Sequence, residues 1–254
     1  MDRVLDVMIE AARAGGEVAL AHFRRGVEAT VKADGSPVTA ADREAERAIV
    51  ERLRRAFPDH GILGEESGAA GARERRFIVD PIDGTRNFVA RLPFWAVLLA
   101  LEEAGTITAG VVVEPVTGRL WTARRGRGAF ANGERLRVST VAALGDAALI
   151  HASLNVLRQD GLWDGFVALV DATGRQRGFG DYLCYTTLAE GRAELAVATR
   201  VEVWDLAPMK VLLEEAGGRL TDVTGADTLE GGTALASNGV LHEPALRVMR
   251  GARA

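Results

Sequence analysis

From Trp95 to Ser139 the sequence WAVLLALEEAGTITAGVVVEPVTGRLWTARRGRGAFANGERLRVS divides into short apolar or alternating segments, separated by Ala-Gly, Thr-Gly, Arg-Gly and Asn-Gly pairs. Tight turns of this kind join neighbouring antiparallel strands, so the stretch is expected to form an antiparallel meander. Its flanks have a different period. Val4, Val7, Met8, Ala11, Ala12, Gly15, Val18 and Ala19 recur at helical spacing and predict an amphipathic helix over 4–23. A second helix is expected over 39–57, where Thr39 is a candidate cap, Glu44 and Glu46 fall early, Arg54 and Arg55 late, and Pro58 closes the segment. Between them, a short alternating strand and a Gly-Ser-Pro turn are expected.

The last hundred residues alternate again. The strands AALIHA, AELAVA and RLTDV are expected there, together with helices over about 161–173, 183–190 and DLAPMKVLLEEAGG, and RQRGFGDY as a Gly-rich turn. A chain of 254 residues fits one large domain over 1–254, with lobes 1–140 and 141–254 packed without a linker. With 48% hydrophobic and 26% charged residues it is an ordinary globular composition. A net charge of −4 gives no reason to expect a nucleic-acid partner. The single cysteine, Cys184, allows no internal disulfide. The opening 23 residues lack the pattern of a signal peptide, and no apolar run approaches the ~20 residues that span a bilayer. A cytoplasmic protein without a membrane partner is expected.

The chemistry is carried by acids that follow apolar runs. FIVDPIDGTRNF (Phe77–Phe88) ends such a run on Asp80, with Asp83 three positions on and Gly-Thr after it. One reading is a turn with caps, since Asp-Gly and Asp/Thr are common there. The other is metal binding: two carboxylates at i and i+3 can converge across a tight turn together with the Ile82 carbonyl, and oxygen-only ligation suits Mg²⁺. Gly84 allows close backbone approach, and the Gly84 and Thr85 amides at a helix start can accept a phosphate. Glu65 and Glu66 in GILGEESG, and Asp205 in VEVWDLAP, stand in similar contexts, the latter read as following an apolar strand.

Two rival motifs fit less well. Haloacid-dehalogenase phosphatases also place an aspartate after a hydrophobic strand and before Asp-Gly-Thr, but there the acids are two apart, one a covalent nucleophile and the other a general acid. An EF-hand lacks its closing glutamate here.

Taken together, GEESG (Gly64–Gly68), FIVDPIDGTRNF and VWDLAP (Val203–Pro208) resemble, in order and spacing, the inositol monophosphatase family of Mg²⁺-dependent, lithium-sensitive phosphomonoesterases. KADGSPVTAADREAE resembles the same family's second-helix region. The resemblance spans the whole chain and implies an α/β fold, a layered αβαβα sandwich, as a homodimer. It implies that Glu65, Asp80 and the Ile82 carbonyl hold one Mg²⁺ and that Asp80, Asp83 and Asp205 hold a second, with a third weak ion near Glu65. Thr85 and Asp42 would orient and deprotonate the attacking water, and the Gly84 and Thr85 amides would hold the phosphate. Two cations about 3.5–4 Å apart can neutralise a phosphate dianion and activate water, so direct hydrolysis without a phosphoenzyme is expected.

RQRGFGDYLCYTTLAEG (Arg175–Gly191) and RNFVARLPFWAVLLAL resemble the family's bacterial histidinol-phosphate phosphatase branch. Arg177 could then steady the phosphate, and Asp181 could pair with a cationic amine such as that of histidinol, or the two could pair with each other. Inositol-1-phosphate and other polyol phosphates are the close alternative substrates. A regulatory binding protein that retains the fold is an alternative of another class. Trp204 reads as core or as cavity floor, Cys184 as packing, and His22, His60, His151 and His242 lack the spacing of a zinc site.

Overall fold

The computed structural model describes residues 2–26, 30–31 and 37–251. Most of the expected Gly-Ser-Pro turn lies outside the described residues. Helices α1 (Arg3–Arg25) and α2 (Ala40–Ala56) flank a two-residue antiparallel pair, β1 (Thr30–Val31) and β2 (Pro37–Val38). Asp2 and Thr39 cap the two helices. The chain then builds β3 (Gly61–Gly64), β4 (Gly68–Ala70), β5 (Arg75–Asp83), the short helix α3 (Thr85–Val89), β6 (Ala96–Glu103), β7 (Thr106–Glu114), β8 (Arg119–Arg124), β9 (Gly128–Ala131) and β10 (Glu134–Arg135). These strands form one sheet in the order β10-β9-β8-β7-β6-β5-β3-β4, antiparallel except for β3 with β5.

The remainder supplies β11 (Ala148–His151), α4 (Leu154–Gln159), α5 (Trp163–Ala172), β12 (Arg175–Arg177), α6 (Asp181–Ala189), β13 (Leu195–Thr199), α7 (Val203–Glu215), β14 (Arg219–Thr221), β15 (Thr233–Ser237) and α8 (His242–Met249). Its sheet runs β12-β11-β13-β15-β14, with β11 parallel to both neighbours.

The layers follow from the two-residue period of strands. On β6, Val97, Leu99 and Leu101 face Met8, Ala11, Ile49 and Leu53 of α1 and α2. Ala96, Leu98 and Ala100 face the opposite way, onto Tyr182 and Leu188 of α6 and Leu206 and Leu212 of α7. The same core takes Ile150, Ala196 and Ala236 from the second sheet. The far side of that sheet, through Leu149, Val197 and Leu235, packs on Phe166, Leu169 and Leu246 of α5 and α8. The result is the expected αβαβα sandwich. Buried residues occupy most of α6 and α7 because both their faces meet a sheet, whereas α1 and α2 keep one wet face.

Several local expectations are corrected. The strand does not end at Asp80: β5 runs through Pro81 to Asp83, and the register slips by one residue between Asp80↔Leu98 and Asp83↔Ala96. A bulge there accommodates the proline, which has no amide to give the ladder. Asp205 does not follow a strand. β13 stops at Thr199, Glu202 caps α7, and Val203 and Trp204 are already helical. The helix expected over 161–173 is α5, a further helix not expected, α4, precedes it, and Arg175–Arg177 pairs with β11 as an edge strand instead of opening a turn. β15 and α8, which were not expected, complete the second sheet and its cover.

Candidate active site

At the C-terminal end of β5 the bulge turns two carboxylates toward one cavity of about 760 Å³. Asp80 is fixed by its own turn, its Oδ1 accepting the Ile82 amide at 2.9 Å. Asp83 Oδ2 accepts the Tyr182 amide at 2.7 Å. Asp205, at the third position of α7, accepts the Glu202 amide at 2.8 Å in a reciprocal cap. One oxygen from each of these three aspartates lies within 4.8 Å of the others. Glu65 follows β3, its amide bonded to Val79 O at 3.0 Å, and its carboxyl meets that of Asp80. Asp80 and Asp83 are buried.

Such a cluster resists ionisation. Asp80 is driven well above the ordinary carboxylate range by burial, then by the charges of Glu65, Asp83 and Asp205. Asp83 is driven up by burial, Asp181 and Asp205. Asp205 is pushed to about 7 by burial first, with Glu65 and Glu202 adding and its bond to the Glu202 amide opposing. Converging oxygen donors with no neutralising side chain among them match the demand of a small hard divalent cation.

Ile82 lines the same cavity, and its carbonyl accepts Thr85 Oγ1 at 3.0 Å. Gly84 sits between them with φ +83°, where a Cβ would stand 3.0 Å from Phe94 O and 3.2 Å from Asp181 Oδ2. Only glycine meets both conditions without strain. Asp181 lines the same cavity, also at positive φ (+49°), and accepts Asn87 Nδ2 at 2.9 Å. Desolvation raises its carboxyl to about 6, while Arg86 pulls it down.

Two expected residues stand elsewhere. Asp42 is buried, but it does not line this cavity: its Oδ2 accepts both the amide and the hydroxyl of Thr39 at 2.7 Å, as the third residue of the α2 capping box. Thr85 bonds to Ile82, and no Thr85–Asp42 hydrogen bond is present among the described residues. Arg177 lines a separate cavity, and its Nη1 donates to Gln176 O at 2.7 Å instead of to Asp181. Trp204 does both things considered for it, lining the cavity and packing on the central core.

Other residues were not anticipated. Glu46 is buried and accepts the Glu66 and Ser67 amides at 2.9 Å each, holding the turn that carries Glu65. Its signal was present, since Asp42 and Glu46 fall on the apolar stripe with Ala41, Ala45 and Ile49. His151 ends β11 and lines the cavity. Its Nδ1 lies 2.8 Å from Ala152 O, and because a carbonyl only accepts, Nδ1 is the donor of this bond. Asn87, Arg86 and Arg200 also line the cavity and gave no signal in the sequence.

The inositol monophosphatase family matches residues 1–253. The chain belongs to the inositol monophosphatase family. It is 43% identical over 250 residues to a histidinol-phosphatase of Mycobacterium tuberculosis, covering 95% of this chain and 96% of that one. To an inositol-1-monophosphatase of Mesorhizobium japonicum it is 34% identical, covering 97% and 96%. The extragenic suppressor protein suhB of Bartonella henselae superposes with a TM-score of 0.92 at 32% identity, covering 98% and 99%. A solved IMPase/NADP phosphatase complexed with Mg²⁺ and phosphate superposes with a TM-score of 0.81 at 27% identity, covering 92% and 89%. Family membership makes the chain a phosphoric monoester hydrolase of a metal-dependent class. No helix among the described residues is long and apolar enough to cross a membrane.

Proposed function

We propose that this family member hydrolyses L-histidinol phosphate to L-histidinol and phosphate in a Mg²⁺-dependent reaction. The observation that carries this choice of ester is Asp181, whose carboxyl lines the cavity beside Gly84 and Asn87 and offers an acceptor to a cationic amine. The 43% identity to a histidinol-phosphatase supports it.

Glu65, Asp80 and the Ile82 carbonyl would hold one Mg²⁺, and Asp80, Asp83 and Asp205 a second, with a third, weaker ion near Glu65. When bound, the ions supply the positive charge that offsets the phosphate dianion and makes water acidic enough to attack. The amides of Gly84 and Thr85 hold the phosphate, and Thr85 Oγ1, its proton engaged by Ile82 O, can accept from water. Asp42 acting with Thr85 on that water belongs to the same proposal. Cys184 is buried, with its thiol pushed upward by desolvation, which suits packing and not attack, and the proposed reaction uses a water nucleophile without a phosphoenzyme. The reading includes a homodimeric, cytoplasmic enzyme inhibited by lithium.

A panel of phosphate esters assayed with Mg²⁺ tests it. Histidinol phosphate should give the highest kcat/KM, and a clear lead for inositol-1-phosphate would transfer the assignment to a polyol phosphatase, the second reading favoured by the Mesorhizobium relative. Loss of the histidinol-phosphate preference in Asp181→Asn, with inositol-1-phosphate turnover retained, would support the role given to Asp181.

A further inference from the structure

Next to the acidic cavity lies a smaller one of about 320 Å³ with the opposite charge. Four arginines line it, Arg119, Arg175, Arg177 and Arg192, against one acid, Glu190. That acid is already committed. Its Oε1 takes Arg119 and the Trp121 indole N–H at 2.7 Å, and its Oε2 lies 3.2 Å from Arg192. Arg119 is further fixed over the Trp121 ring, 4.5 Å from the centroid. Arg175 and Arg177 have no carboxylate partner among the described residues.

Their placement is built. Arg175 and Arg177 sit two apart on β12 and so project from one face, while Gln176 between them points away. The Gln176 amide donates to Val170 O at 3.1 Å, Thr173 O at 2.9 Å and Thr173 Oγ1 at 3.0 Å, anchoring this edge strand to the end of α5. In a chain of net charge −4, about three uncompensated positive charges are thus held around one small cavity. Water alone would leave those guanidinium groups repelling one another, whereas an oxyanion can accept paired N–H groups from two of them. The volume admits a phosphate-sized ion or two. Phe179, 47% exposed, lines both cavities and separates them.

We propose that this basic cavity binds a small multivalent oxyanion, such as inorganic phosphate, at a site separate from the aspartate cluster. Bound there, the anion fixes β12 and the adjoining segment Gly178–Asp181, which forms a wall of the acidic cavity.

The test uses the full chain stripped of divalent metal with EDTA, where the aspartate cluster repels anions and phosphatase turnover plays no part. Inorganic phosphate is titrated calorimetrically at constant ionic strength in chloride. One saturable site per chain is expected, weakened about 10- to 100-fold in Arg175→Glu/Arg177→Glu, the loss expected for hydrogen bonds to charged groups. Asp83→Asn should bind phosphate as the parent does. Circular dichroism and thermal unfolding establish that the double variant is folded. Absence of saturable binding in the parent, or equal affinity in the folded double variant, overturns the proposal.

Discussion

Asp83 Oδ2 accepts the main-chain amide of Tyr182 at 2.7 Å, a contact between residues 99 apart that ties the end of β5 to the first turn of α6. The carboxylate that crowds Asp80 and Asp205 is thereby held by the layer that also carries Asp181. Asp83→Asn can keep this bond through its amide oxygen while losing the negative charge. We expect a folded protein whose phosphatase kcat/KM falls by about 100-fold or more, as for a lost metal-site group. Retained turnover would remove Asp83 from the ligand set.

The raised aspartates set a pH dependence of stability. Without divalent metal, the folded chain holds protons on Asp205 (about 7), Asp181 (about 6), Asp80 and Asp83 at pH values where the unfolded chain has released them. Stability should therefore fall as pH rises from the ordinary aspartate range through about 7. Thermal unfolding in EDTA should give a lower Tm at pH 8 than at pH 5.5, by roughly 2–4 °C for each kcal/mol lost. Saturating Mg²⁺ should remove most of this decline, because ions bound to the folded state favour the ionised cluster. A flat profile in EDTA would contradict the clustering.

Asp42 separates two roles. As the third residue of the α2 cap it bonds to Thr39, and Asp42→Ala should cost about 1–2 kcal/mol of stability in denaturant unfolding. If it also acts on the attacking water, kcat for the folded variant should drop at unchanged KM. An unchanged kcat would leave the cap as its whole function.

Glu46 acts one residue removed from the cluster. Glu46→Gln keeps shape but offers a single oxygen to the Glu66 and Ser67 amides, which now take one carboxylate oxygen each. The Mg²⁺ concentration for half-maximal activity should rise about 10- to 100-fold, as for other groups that orient metal ligands. Full activity at unaltered Mg²⁺ would make Glu46 purely structural.

Lithium offers an independent check on the second ion position. A small monovalent cation among Asp80, Asp83 and Asp205 cannot restore the missing charge. Millimolar Li⁺ should lower turnover in steady-state assays, and indifference to it would argue against that position.

Much of this arrangement was legible before the fold was known. The meander, both leading helices and the aspartates of β5 and α7 stood out because their signals are local: turn pairs, helical spacing, acids placed against apolar runs. What escaped was non-local or short. Asn87 meets Asp181 across 94 residues, a contact no pattern announces. β12 reads Arg-Gln-Arg, polar on both faces, and becomes a strand only because β11 pairs with it. α4 spans six residues, too few for a helical period to emerge. Glu46 was passed over because acids on a helix are usually solvated, yet its place among Ala41, Ala45 and Ile49 required burial.

The stacking of layers has a consequence for the cluster itself. Asp80 and Asp83 ride on the first sheet, while Asp205 rides on a helix pressed between the two sheets. The separation of these carboxylates therefore measures how far the middle layer has slid over the first. Trimming Leu206 or Met209, apolar side chains of the central core, would reset that separation and shift cation preference by mechanical means alone.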